Sequence, residues 1–543
     1  MKWVKTLNLR VCIRDRWRYV GALIAAVPLA GAAGAAGAQP VHTESGAISG
    51  LREGGINVYE GIPYAAPPLG ELRWRPPSAA EPWAGTRKAA AFAPACMQEG
   101  VSMPGETPPR VSEDCLYLNI WAPRANARTP LPVIVWIYGG GYRNGSASMP
   151  LYWGDRLAKR GVIVVTVAYR LGPLGFLALP ELTRESPHQS SGNYGLMDQI
   201  AALEWIQRNI AAFGGDRKRV TIAGQSSGAI SVSVLMASPR AKGLFQRAIG
   251  ESGGLFEPLQ LAPNYLLANA ERDGEKYAAA LGATSLRELR QLPAANLLGG
   301  ANAGGVTHPV IEPYVLPMSP YDAFVSGQQN DVPVLIGSNA EEARSLTDVA
   351  NVRSATFNDG ITASFGALPP AIMAAYPHAT DAEAQQARLD LERDLRFAWD
   401  MWAWARLQAA TGKGHIYYYS FRQKPPFPAG SVYAGWGAGH FAELWYVFDH
   451  LNQAPWRWRI EDRKLAEQMS SYWTNFAASG DPNGLGLPVW PAYTLEEGRV
   501  LYLGDPIIAR GVANIGSLTV LDTVYSSVRG KRFAEQPANS AID

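Results

Sequence analysis

Short apolar runs bounded by Gly, Pro or Asp recur along the chain. They are rich in Val and Ile, which is typical of strands buried on both faces of a mostly parallel sheet. The runs span residues 131–138, 161–167, 219–223 and 332–337. Between two of them, Leu203, Trp205, Ile206 and Ile210 recur at helical spacing. This pattern predicts a helix over 198–212 that stops at the Gly pair 214–215.

The alternation of strands and helices predicts an α/β doubly wound sheet. No internal repeat and no Ser- or Gly-rich linker follows residue 40, so we predict a single domain over 39–543. The first 60 or so residues of that domain favour short strands and turns instead. The region of roughly 255–407 is mixed and more helical, and it is predicted to form a cap-like insertion over the carboxyl edge of the sheet.

The first 38 residues have the pattern of a secretory signal peptide. Basic residues come first, an apolar run follows over 20–33, and the small residues 36–38 offer a cleavage site before Gln39. A membrane anchor is the alternative, but the run is short and rich in Ala and Gly. No later stretch is long and apolar enough to span a membrane. We therefore predict a secreted or periplasmic protein.

Charge and composition exclude several classes of function. The chain is 47% hydrophobic and 18% charged, which indicates a folded globular protein. Its net charge is +2, and residues 39–543 alone carry about −3 because the first 38 residues hold six basic side chains and one acid. The domain has no basic stripe, so nucleic acid is not an expected partner.

Three cysteines are present, and Cys12 lies in the predicted signal peptide. Cys96 and Cys115 remain as an even pair in an oxidising compartment, which favours a disulfide over two free thiols. The disulfide would close a loop of 18 residues and stabilise the fold by about 3 kcal/mol. No Cys/His cluster has zinc spacing, so no metal site is predicted.

The pattern Gly-x-Ser-x-Gly occurs twice, at 224–228 and at 250–254. A nucleophile elbow requires a strand, a sharp turn and a helix around this pattern. Ser226 has a strand-like run before it and a helical run after it. Ser252 also follows a strand-like run, but Pro258 interrupts any helix after it. We predict Ser226 as the nucleophile.

A serine nucleophile needs a base. In hydrolases with a nucleophile elbow, the chain order is serine, acid and then histidine. The candidate bases are His378, His415, His440 and His450. His415 precedes the run Ile416-Tyr417-Tyr418-Tyr419, which predicts a core strand, and His450 follows an apolar run, so structural roles are predicted for both. His440 ends the glycine-rich segment 435–439, which predicts a loop, where catalytic residues concentrate. A surface loop histidine is the alternative for His440.

The acid is expected just after a buried strand, where Glu341 and Glu342 follow the run ending near Gly337. Two adjacent glutamates at a strand end are also a common arrangement of surface charge, so the pattern alone does not choose between them. The oxyanion hole needs preorganised backbone N–H groups. The segment Tyr138-Gly139-Gly140-Gly141-Tyr142 follows a strand as the glycine-rich oxyanion loop of esterases does. We predict Gly140, Gly141 and Ser227 as the donors.

Several longer motifs resemble those of the type-B carboxylesterase (cholinesterase-like) family. Within that family the chain is most similar to bacterial para-nitrobenzyl-type carboxylesterases. The motifs are EGIPYA at 60–65, LRW at 72–74, SEDCLYLN at 112–119, SGNYGLMDQ at 191–199, WTNF at 473–476 and GDPN at 480–483. The resemblance implies the α/β-hydrolase fold and a Ser-Glu-His triad of Ser226, Glu342 and His440. It also implies the disulfide Cys96–Cys115.

The chain departs from the family pattern at informative positions. Family elbows often have Glu and Ala where this chain has Gln225 and Ser227, so a carboxylate beside the pocket is missing while the N–H of residue 227 is kept. Residues 97–114 contain no aromatic residue, so the tryptophan that binds choline in cholinesterases has no counterpart there. The same loop is short and polar, unlike the long apolar lid of the family's lipases.

The predicted function is that of a secreted serine carboxylesterase that acts on soluble esters, bulky or aromatic ones among them, through an acyl-enzyme and without metal or cofactor. Gln225, Phe397 and Trp436 are predicted to line the substrate pocket, with core packing as the alternative for the two aromatic residues. The expected partner is a small-molecule ester. Two other functions remain open: an inactive adhesion protein of the same fold, and a hydrolase of amides or polyesters.

Overall fold

The computed structural model describes residues 38, 40–103, 106–124, 129–299 and 303–530. Except for Ala38, the predicted signal peptide lies outside the described residues. The described residues fall within one compact unit. No helix in these ranges is long and apolar enough to cross a membrane.

The strands are short, and most are buried. They are β1 (Val41–Thr43), β2 (Gly46–Ser49), β3 (Leu51–Glu53), β4 (Ile56–Pro63), β5 (Thr86–Lys88), β6 (Ala95–Cys96), β7 (Val111–Ser112), β8 (Tyr117–Pro123), β9 (Leu131–Ile137), β10 (Ile163–Val167), β11 (Gly215–Gln225), β12 (Arg247–Glu251), β13 (Val334–Asn339), β14 (Ile416–Phe421), β15 (Val500–Leu503) and β16 (Ile508–Arg510).

The helices lie between the strands and after them. They are α1 (Asp155–Ala158), α2 (Gly172–Phe176), α3 (Pro180–Glu185), α4 (Tyr194–Asn209), α5 (Ser227–Ala237), α6 (Leu267–Ala280), α7 (Leu286–Gln291), α8 (Ala294–Leu298), α9 (Pro320–Val325), α10 (Phe357–Phe365), α11 (Pro370–Ala374), α12 (Asp381–Arg393), α13 (Trp399–Thr411), α14 (Leu444–Val447), α15 (Ile460–Ser479) and α16 (Ile515–Arg529).

Within the described residues, eleven strands form one sheet in the order β16-β15-β14-β13-β12-β11-β9-β10-β8-β4-β3. The strands from β10 through β9, β11, β12, β13 and β14 to β15 are parallel. Both margins of the sheet are antiparallel. The central strands β9, β10 and β13 are buried almost throughout, which explains why their sequences are continuous apolar runs and do not alternate.

The carboxyl ends of parallel strands share one edge of the sheet, and the sites of open α/β sheets lie there. In this sheet β9 ends at Ile137, β11 at Gln225 and β13 at Asn339. Because β11 lies between β9 and β12, and β13 follows β12, the loops after these strands are neighbours in space. The sheet order therefore brings together segments more than 100 residues apart in sequence.

The helical region predicted as a cap-like insertion over 255–407 is divided in two by β13, a strand of the central sheet. Helices α6 to α9 come before β13, and α10 to α13 come after it. A short π-helical turn, Asp394–Ala398, separates α12 from α13. The second helical group approaches the site through this turn.

A disulfide joins Cys96 to Cys115. At the two ends of the loop that it closes, β6 and β7 pair as a small parallel sheet. Gln98 in this loop donates to the carbonyl of Gly145 at 2.7 Å, and its Oε1 accepts from the N–H of Gly145 at 2.8 Å. The disulfide loop is therefore fixed to the segment that follows the glycine-rich loop after β9.

Candidate active site

Ser226 sits on a sharp turn between β11 and α5. Its backbone has φ 57° and ψ −127°, a strained conformation for a residue with a side chain. The N–H of Ser226 donates to the carbonyl of Glu251 at 2.8 Å, which holds the turn against the end of β12. This is the strand, turn and helix arrangement of a nucleophile elbow.

The glycines on either side of Ser226 are required by close packing of the backbone. A Cβ at Gly228 would lie 2.0 Å from the carbonyl oxygen of Ile137, and one at Gly224 would lie 2.5 Å from the backbone of Gly228. Neither contact leaves room for a side chain. Because residue 228 is a glycine, the first turn of α5 packs against the backbone at the end of β9. The turn that carries Ser226 therefore lies next to the loop that follows β9.

The second Gly-x-Ser-x-Gly segment packs behind the first. Ser252 also has a positive φ, 56°, but it is fully buried and no helix follows it. A Cβ at Gly253 would lie 2.3 Å from the carbonyl oxygen of Ser226. The second segment therefore packs against the backbone of the elbow, and the buried hydroxyl of Ser252 is not available to a substrate.

His440 and Glu342 are joined by a short hydrogen bond in a dry environment. The distance from His440 Nδ1 to Glu342 Oε2 is 2.6 Å, and both residues are at least 99% buried. The other carboxylate oxygen of Glu342 accepts from the N–H of Asn339 at 2.7 Å. The N–H of His440 in turn donates to the carbonyl of Glu342 at 3.2 Å. Both carboxylate oxygens are therefore occupied, and the imidazole is held by its Nδ1 side.

The structure distinguishes the two adjacent glutamates. Glu341 Oε1 accepts from Lys424 at 3.0 Å, and its other oxygen accepts from the N–H of Ala438 at 2.9 Å. These contacts lower the pKa of Glu341 against the opposing effect of burial, which is the largest single influence on it. Glu342, one residue later in a 3₁₀ turn, faces the imidazole.

Among the described residues, the hydroxyl of Ser226 forms no hydrogen bond. The side-chain nitrogen of Gln225 lies 3.2 Å from His440 Nε2 and 3.4 Å from His440 Nδ1. Ser226 is half-buried, whereas Gln225 is fully buried. Ser226 and His440 are thus brought to the same edge of the sheet.

Phe397 lies on the imidazole. Its ring centroid is 4.5 Å from that of His440, with the planes inclined by 28°. Phe397 belongs to the π-helical turn between α12 and α13, and π-turns inside helices often occur at functional sites. The sequence marks Phe397 as an aromatic residue of the cap, but nothing in its periodicity predicts the π-turn that aims it at the histidine.

The loop after β9 exposes unpaired backbone donors. Gly140 has φ 114° and Gly141 φ 63°, which are glycine conformations. A Cβ at Gly140 would lie 2.1 Å from the carbonyl oxygen of Asn144. In the described part of the chain, the N–H groups of Gly140, Gly141 and Ser227 donate no hydrogen bond to another backbone carbonyl. Three donors predicted from the sequence are therefore free to bind an anionic oxygen.

Behind the histidine lies a buried acidic group that the sequence reasoning missed. Glu251 and Glu443 are both fully buried. Burial raises the pKa of Glu251 to about 8, and Trp473 Nε1 donates to it at 2.7 Å. Burial, and then the neighbouring charges of Glu342 and Glu251, raise the pKa of Glu443. The amide of Asn339 donates to Glu443. The sequence spacing does not predict this proximity, because Glu251 and Asn339 end two different strands and Glu443 lies just before α14.

The structure also contains a cavity of about 550 Å³. Its walls come from the disulfide loop, from residues 145–151 and from the aromatic side chains of Tyr433, Trp445 and Trp456. Ser226, Glu342 and His440 do not line it. Its walls are close to them in sequence only: residues 145–151 follow the glycine-rich loop, and Trp445 follows His440 by five positions. Trp436 packs edge-on against Tyr433, with 5.0 Å between ring centroids, and is not a lining residue.

No group of three or more His, Cys, Asp or Glu side chains in the described ranges is arranged to hold a metal ion. His450, one of the other candidate bases, has both ring nitrogens engaged away from Ser226. Its Nδ1 lies 3.0 Å from the carbonyl of Leu151, and its Nε2 lies 2.9 Å from Asp155 Oδ1. His440 is the candidate that reaches the elbow.

The sheet order and the elbow define this protein as an α/β hydrolase. The sequence profile of the Carboxylesterase family matches residues 37–513. The chain belongs to the Carboxylesterase family and is a carboxylic-ester hydrolase. This confirms the fold and the family that the sequence motifs indicate.

Named relatives agree with this assignment. The chain is 37% identical over 486 residues to the fumonisin B1 esterase of Sphingopyxis macrogoltabida, covering 86% of each chain. It is 34% identical over 490 residues to the para-nitrobenzyl esterase of Bacillus subtilis (strain 168), covering 86% of this chain and 95% of that one. A solved structure titled as a thermophilic PNB esterase superposes with a TM-score of 0.78 at 32% identity, covering 89% and 99% of the two chains.

Proposed function

We propose that Ser226, His440 and Glu342 act as the nucleophile, the base and the orienting acid of a serine carboxylesterase. The observation that carries the proposal is the buried 2.6 Å contact between Glu342 and His440 Nδ1, on the same sheet edge as the strained turn of Ser226. A proton on Nδ1 leaves the lone pair of Nε2 free to accept a proton from serine.

The reaction has two acyl-transfer steps. His440 Nε2 takes the proton of the Ser226 hydroxyl as Oγ attacks the ester carbonyl carbon, and Glu342 stabilises the imidazolium that forms. The tetrahedral intermediate collapses when His440 returns the proton to the leaving alcohol, which departs and leaves an acyl-enzyme. Water then attacks the acyl group by the same route, and the acid is released with Ser226 restored.

The N–H groups of Gly140, Gly141 and Ser227 are proposed to bind the oxyanion in both steps. The glycine backbones at Gly140 and Gly141 let their N–H groups face the reacting carbonyl without an intervening side chain, and Ser227 contributes the first N–H of α5. A helix N-terminus also favours negative charge. Removal of one such donor typically costs a factor of about 10² to 10³ in kcat.

The proposed substrates are soluble esters with a bulky or aromatic part. The cavity of about 550 Å³ is within the usual range for a site that binds a small molecule, and its walls include Tyr433, Trp445 and Trp456. The relatives that act on fumonisin B1 and on para-nitrobenzyl esters supply two first substrates to test. The disulfide Cys96–Cys115 supports action in an oxidising, extracytoplasmic compartment.

The test is Ser226→Ala, with Ser252→Ala as the matched control from the second Gly-x-Ser-x-Gly segment. We expect Ser226→Ala to lower kcat on para-nitrophenyl esters by about 10⁵-fold and to abolish labelling by a fluorophosphonate. Ser252→Ala should keep labelling and most of the activity. A Ser226→Ala protein that retains near-normal turnover would reject the proposed nucleophile.

The preference for esters is tested separately. Rates on an ester and on an amide that share one acyl group should differ in favour of the ester, while a bulky aromatic ester and a short aliphatic ester should differ in kcat/KM in favour of the aromatic one. Equal or faster cleavage of the amide would move the proposal to an amidase.

A further inference from the structure

A second cavity lies at the carboxyl ends of β13 and β14, apart from the cavity of about 550 Å³. Its volume is about 270 Å³, which is below the usual range for drug-sized ligands and suits a ligand of few heavy atoms. Besides the two strand ends, its walls include Ala398 of the π-helical turn and Asn514 at the start of α16. We call it the polar cavity. Ser226, Glu342 and His440 do not line it, so it is distinct from the candidate active site.

Two serine side chains of the sheet line the polar cavity. Ser338 of β13 and Ser420 of β14 are directly paired, so their side chains lie side by side on one face of the sheet. The two residues are 7% and 8% exposed. Among the described residues, neither hydroxyl has a hydrogen-bond partner. Buried hydroxyls are normally hydrogen-bonded in proteins, so this pair is available to a ligand.

Two basic side chains bring further hydrogen-bond donors to the same cavity. Arg422 follows Ser420 by two positions, and its N–H continues the pairing with β15, so it lies on the same face of the sheet. Its guanidinium stacks on the ring of Tyr502 at 4.1 Å and, in the described part of the chain, forms no ion pair. A stacked guanidinium keeps the N–H groups at its edges free. Lys424 uses one of its three donors on Glu341 Oε1, at 3.0 Å.

The carboxylate that lines the polar cavity is already occupied. Of the described lining residues, Glu341 alone is acidic. Its Oε1 lies 3.0 Å from Lys424 Nζ and 3.1 Å from Arg344 Nε. Its Oε2 accepts from the N–H of Ala438 at 2.9 Å. Two cations thus share one carboxylate, and this group of three side chains keeps a net positive charge.

Arg393, the third basic residue of the lining, adds no net charge to the polar cavity. Asp390 and Asp394 lie 2.6 and 2.8 Å from its guanidinium nitrogens. The start of α16 adds positive potential, because the N-terminus of a helix of 15 residues is the positive end of its dipole. The polar cavity therefore offers unengaged hydroxyl and cationic donors, whereas both oxygens of its described carboxylate are occupied.

We propose that the polar cavity binds a small oxyanion, either a carboxylate or a phosphate group, through Ser338, Ser420 and Arg422. An oxyanion accepts hydrogen bonds and carries the charge that complements these donors, and a guanidinium binds both groups through paired N–H donors. Water also accepts from hydroxyls, but a neutral molecule gains little from the uncompensated cations. The inference does not depend on the proposed triad, because no triad residue lines the polar cavity.

The first experiment measures binding to the whole protein by calorimetry. Inorganic phosphate and succinate are titrated separately in a chloride buffer of constant ionic strength, so that the screening of charges is the same throughout. We expect saturable binding at one site for at least one of the two anions. Binding of succinate alone identifies carboxylates as the ligands, binding of phosphate alone identifies phosphates, and binding of both identifies their shared chemistry. If neither anion binds saturably, the inference fails.

The second experiment locates the bound anion. Arg422→Gln removes a charge from the polar cavity and should weaken binding about fivefold or more. Arg87→Gln is the matched control, since Arg87 is also exposed and lies over the ring of Trp83 at 5.5 Å, but it does not line the polar cavity. The control should bind the anion as the parent protein does. Equal weakening in both variants, or none in Arg422→Gln, overturns the inference.

Ser420→Ala tests the hydroxyl pair and separates binding from folding. Because this hydroxyl has no partner among the described residues, its loss breaks no hydrogen bond of the fold, and the Tm without anion should not fall. The affinity for the anion should fall by about three- to tenfold, and the rise in Tm when the anion is added should shrink accordingly. An unchanged affinity in folded Ser420→Ala protein overturns the role assigned to the hydroxyls.

Discussion

The hydroxyl of Ser227 accepts a hydrogen bond from the backbone N–H of Tyr142 at 3.2 Å. Ser227 follows the proposed nucleophile, and Tyr142 ends the glycine-rich segment, so one side chain joins the two segments that contain the proposed oxyanion donors. Ser227 is 2% exposed and Tyr142 is 3% exposed. The alanine that family members often carry at this position has no atom that can accept this bond.

Ser227→Ala is therefore expected to loosen the oxyanion loop. One buried donor, the N–H of Tyr142, loses its partner, and the positions of the N–H groups of Gly140 and Gly141 become less defined. We expect kcat on a para-nitrophenyl ester to fall by about three- to tenfold with little change in KM, because the donors act mainly on the transition state.

The control for this prediction is Ser233→Ala on the same helix. Its hydroxyl donates to the carbonyl of Ile230 at 2.8 Å and does not touch the loop. Its kcat should stay within a factor of two of the parent value. A Ser227→Ala protein with unchanged kcat would show that the loop is held by its backbone alone.

Glu342→Gln tests the orienting acid against its neighbour. The amide would keep the size of the side chain but remove the charge that holds the Nδ1 proton and stabilises the imidazolium. We expect kcat to fall by about 10² to 10⁴-fold. Glu341→Gln, one residue earlier, loses a contact with Lys424 and should lower kcat less than threefold. Steady-state kinetics of both variants at one pH makes the comparison, and similar losses in both would contradict the assignment of Glu342.

Gly228→Ala tests the close approach of α5 to β9. Alanine is favoured over glycine in a helix by about 1 kcal/mol, which by itself would stabilise the protein. The added Cβ, however, would meet the carbonyl oxygen of Ile137 at 2.0 Å, and neither backbone segment can move freely. Overpacking of this kind costs about 1 to 3 kcal/mol or more, so the net effect is destabilising.

We expect Gly228→Ala to lower the Tm by roughly 5 °C, or to prevent folding. Gly282→Ala is the comparison, because Gly282 has φ 73° with open space around it. That variant carries only the backbone strain and should lose less. Scanning calorimetry on both proteins decides the matter, and an equal loss in the two would show that the contact with Ile137 is relieved by a small movement.

Glu251 is expected to make stability depend on pH. Burial raises the pKa of its carboxyl to about 8, above the value of 4.5 for a free glutamic acid. Between these two values the unfolded chain loses a proton that the folded protein keeps. The contribution of this group to stability is therefore full below pH 4.5 and is lost as pH rises towards 8.

Glu251→Gln removes this dependence while its oxygen can still accept from Trp473. We expect the fall in Tm between pH 5 and pH 8 to be smaller than in the parent protein by roughly a few degrees, and the variant to be the more stable protein at pH 8. Melting curves at several pH values provide the measurement. The same fall in both proteins would mean that the carboxyl of Glu251 titrates near its ordinary value when folded.

The regular elements around the site were predictable from the sequence. The apolar run at 131–138 is β9, the run at 219–223 lies within β11, and the run at 332–337 overlaps β13. The helix predicted over 198–212 begins four residues earlier, at Tyr194, and its last turn is a 3₁₀ helix, Ile210–Phe213. These runs are long and strongly patterned, and local pattern is reliable where burial is uniform along an element.

The cap and the surroundings of the histidine were not predictable in the same way. The region 255–407 has no single period because a central strand, β13, interrupts two groups of short helices. The π-turn that places Phe397 over His440 differs from an α-helical turn by one hydrogen-bond step, which leaves no mark in the spacing of apolar residues. The contact of Gln225 with His440 joins residues 215 positions apart.

The elements, the elbow at Ser226 and the glycines of the loop after β9 were predictable from residue order, because they depend on local backbone conformation and on periodic burial. Residue patterns alone left Glu341 and Glu342 open, and the family resemblance implied Glu342, which the structure places against His440. The contact made by the amide of Gln225 and the burial of the neighbouring carboxyls became visible in the tertiary structure. The physical reason is that these contacts are set by the order of parallel strands in the sheet, which brings distant strand ends to one edge, and strand order is not written in the spacing of residues along the chain.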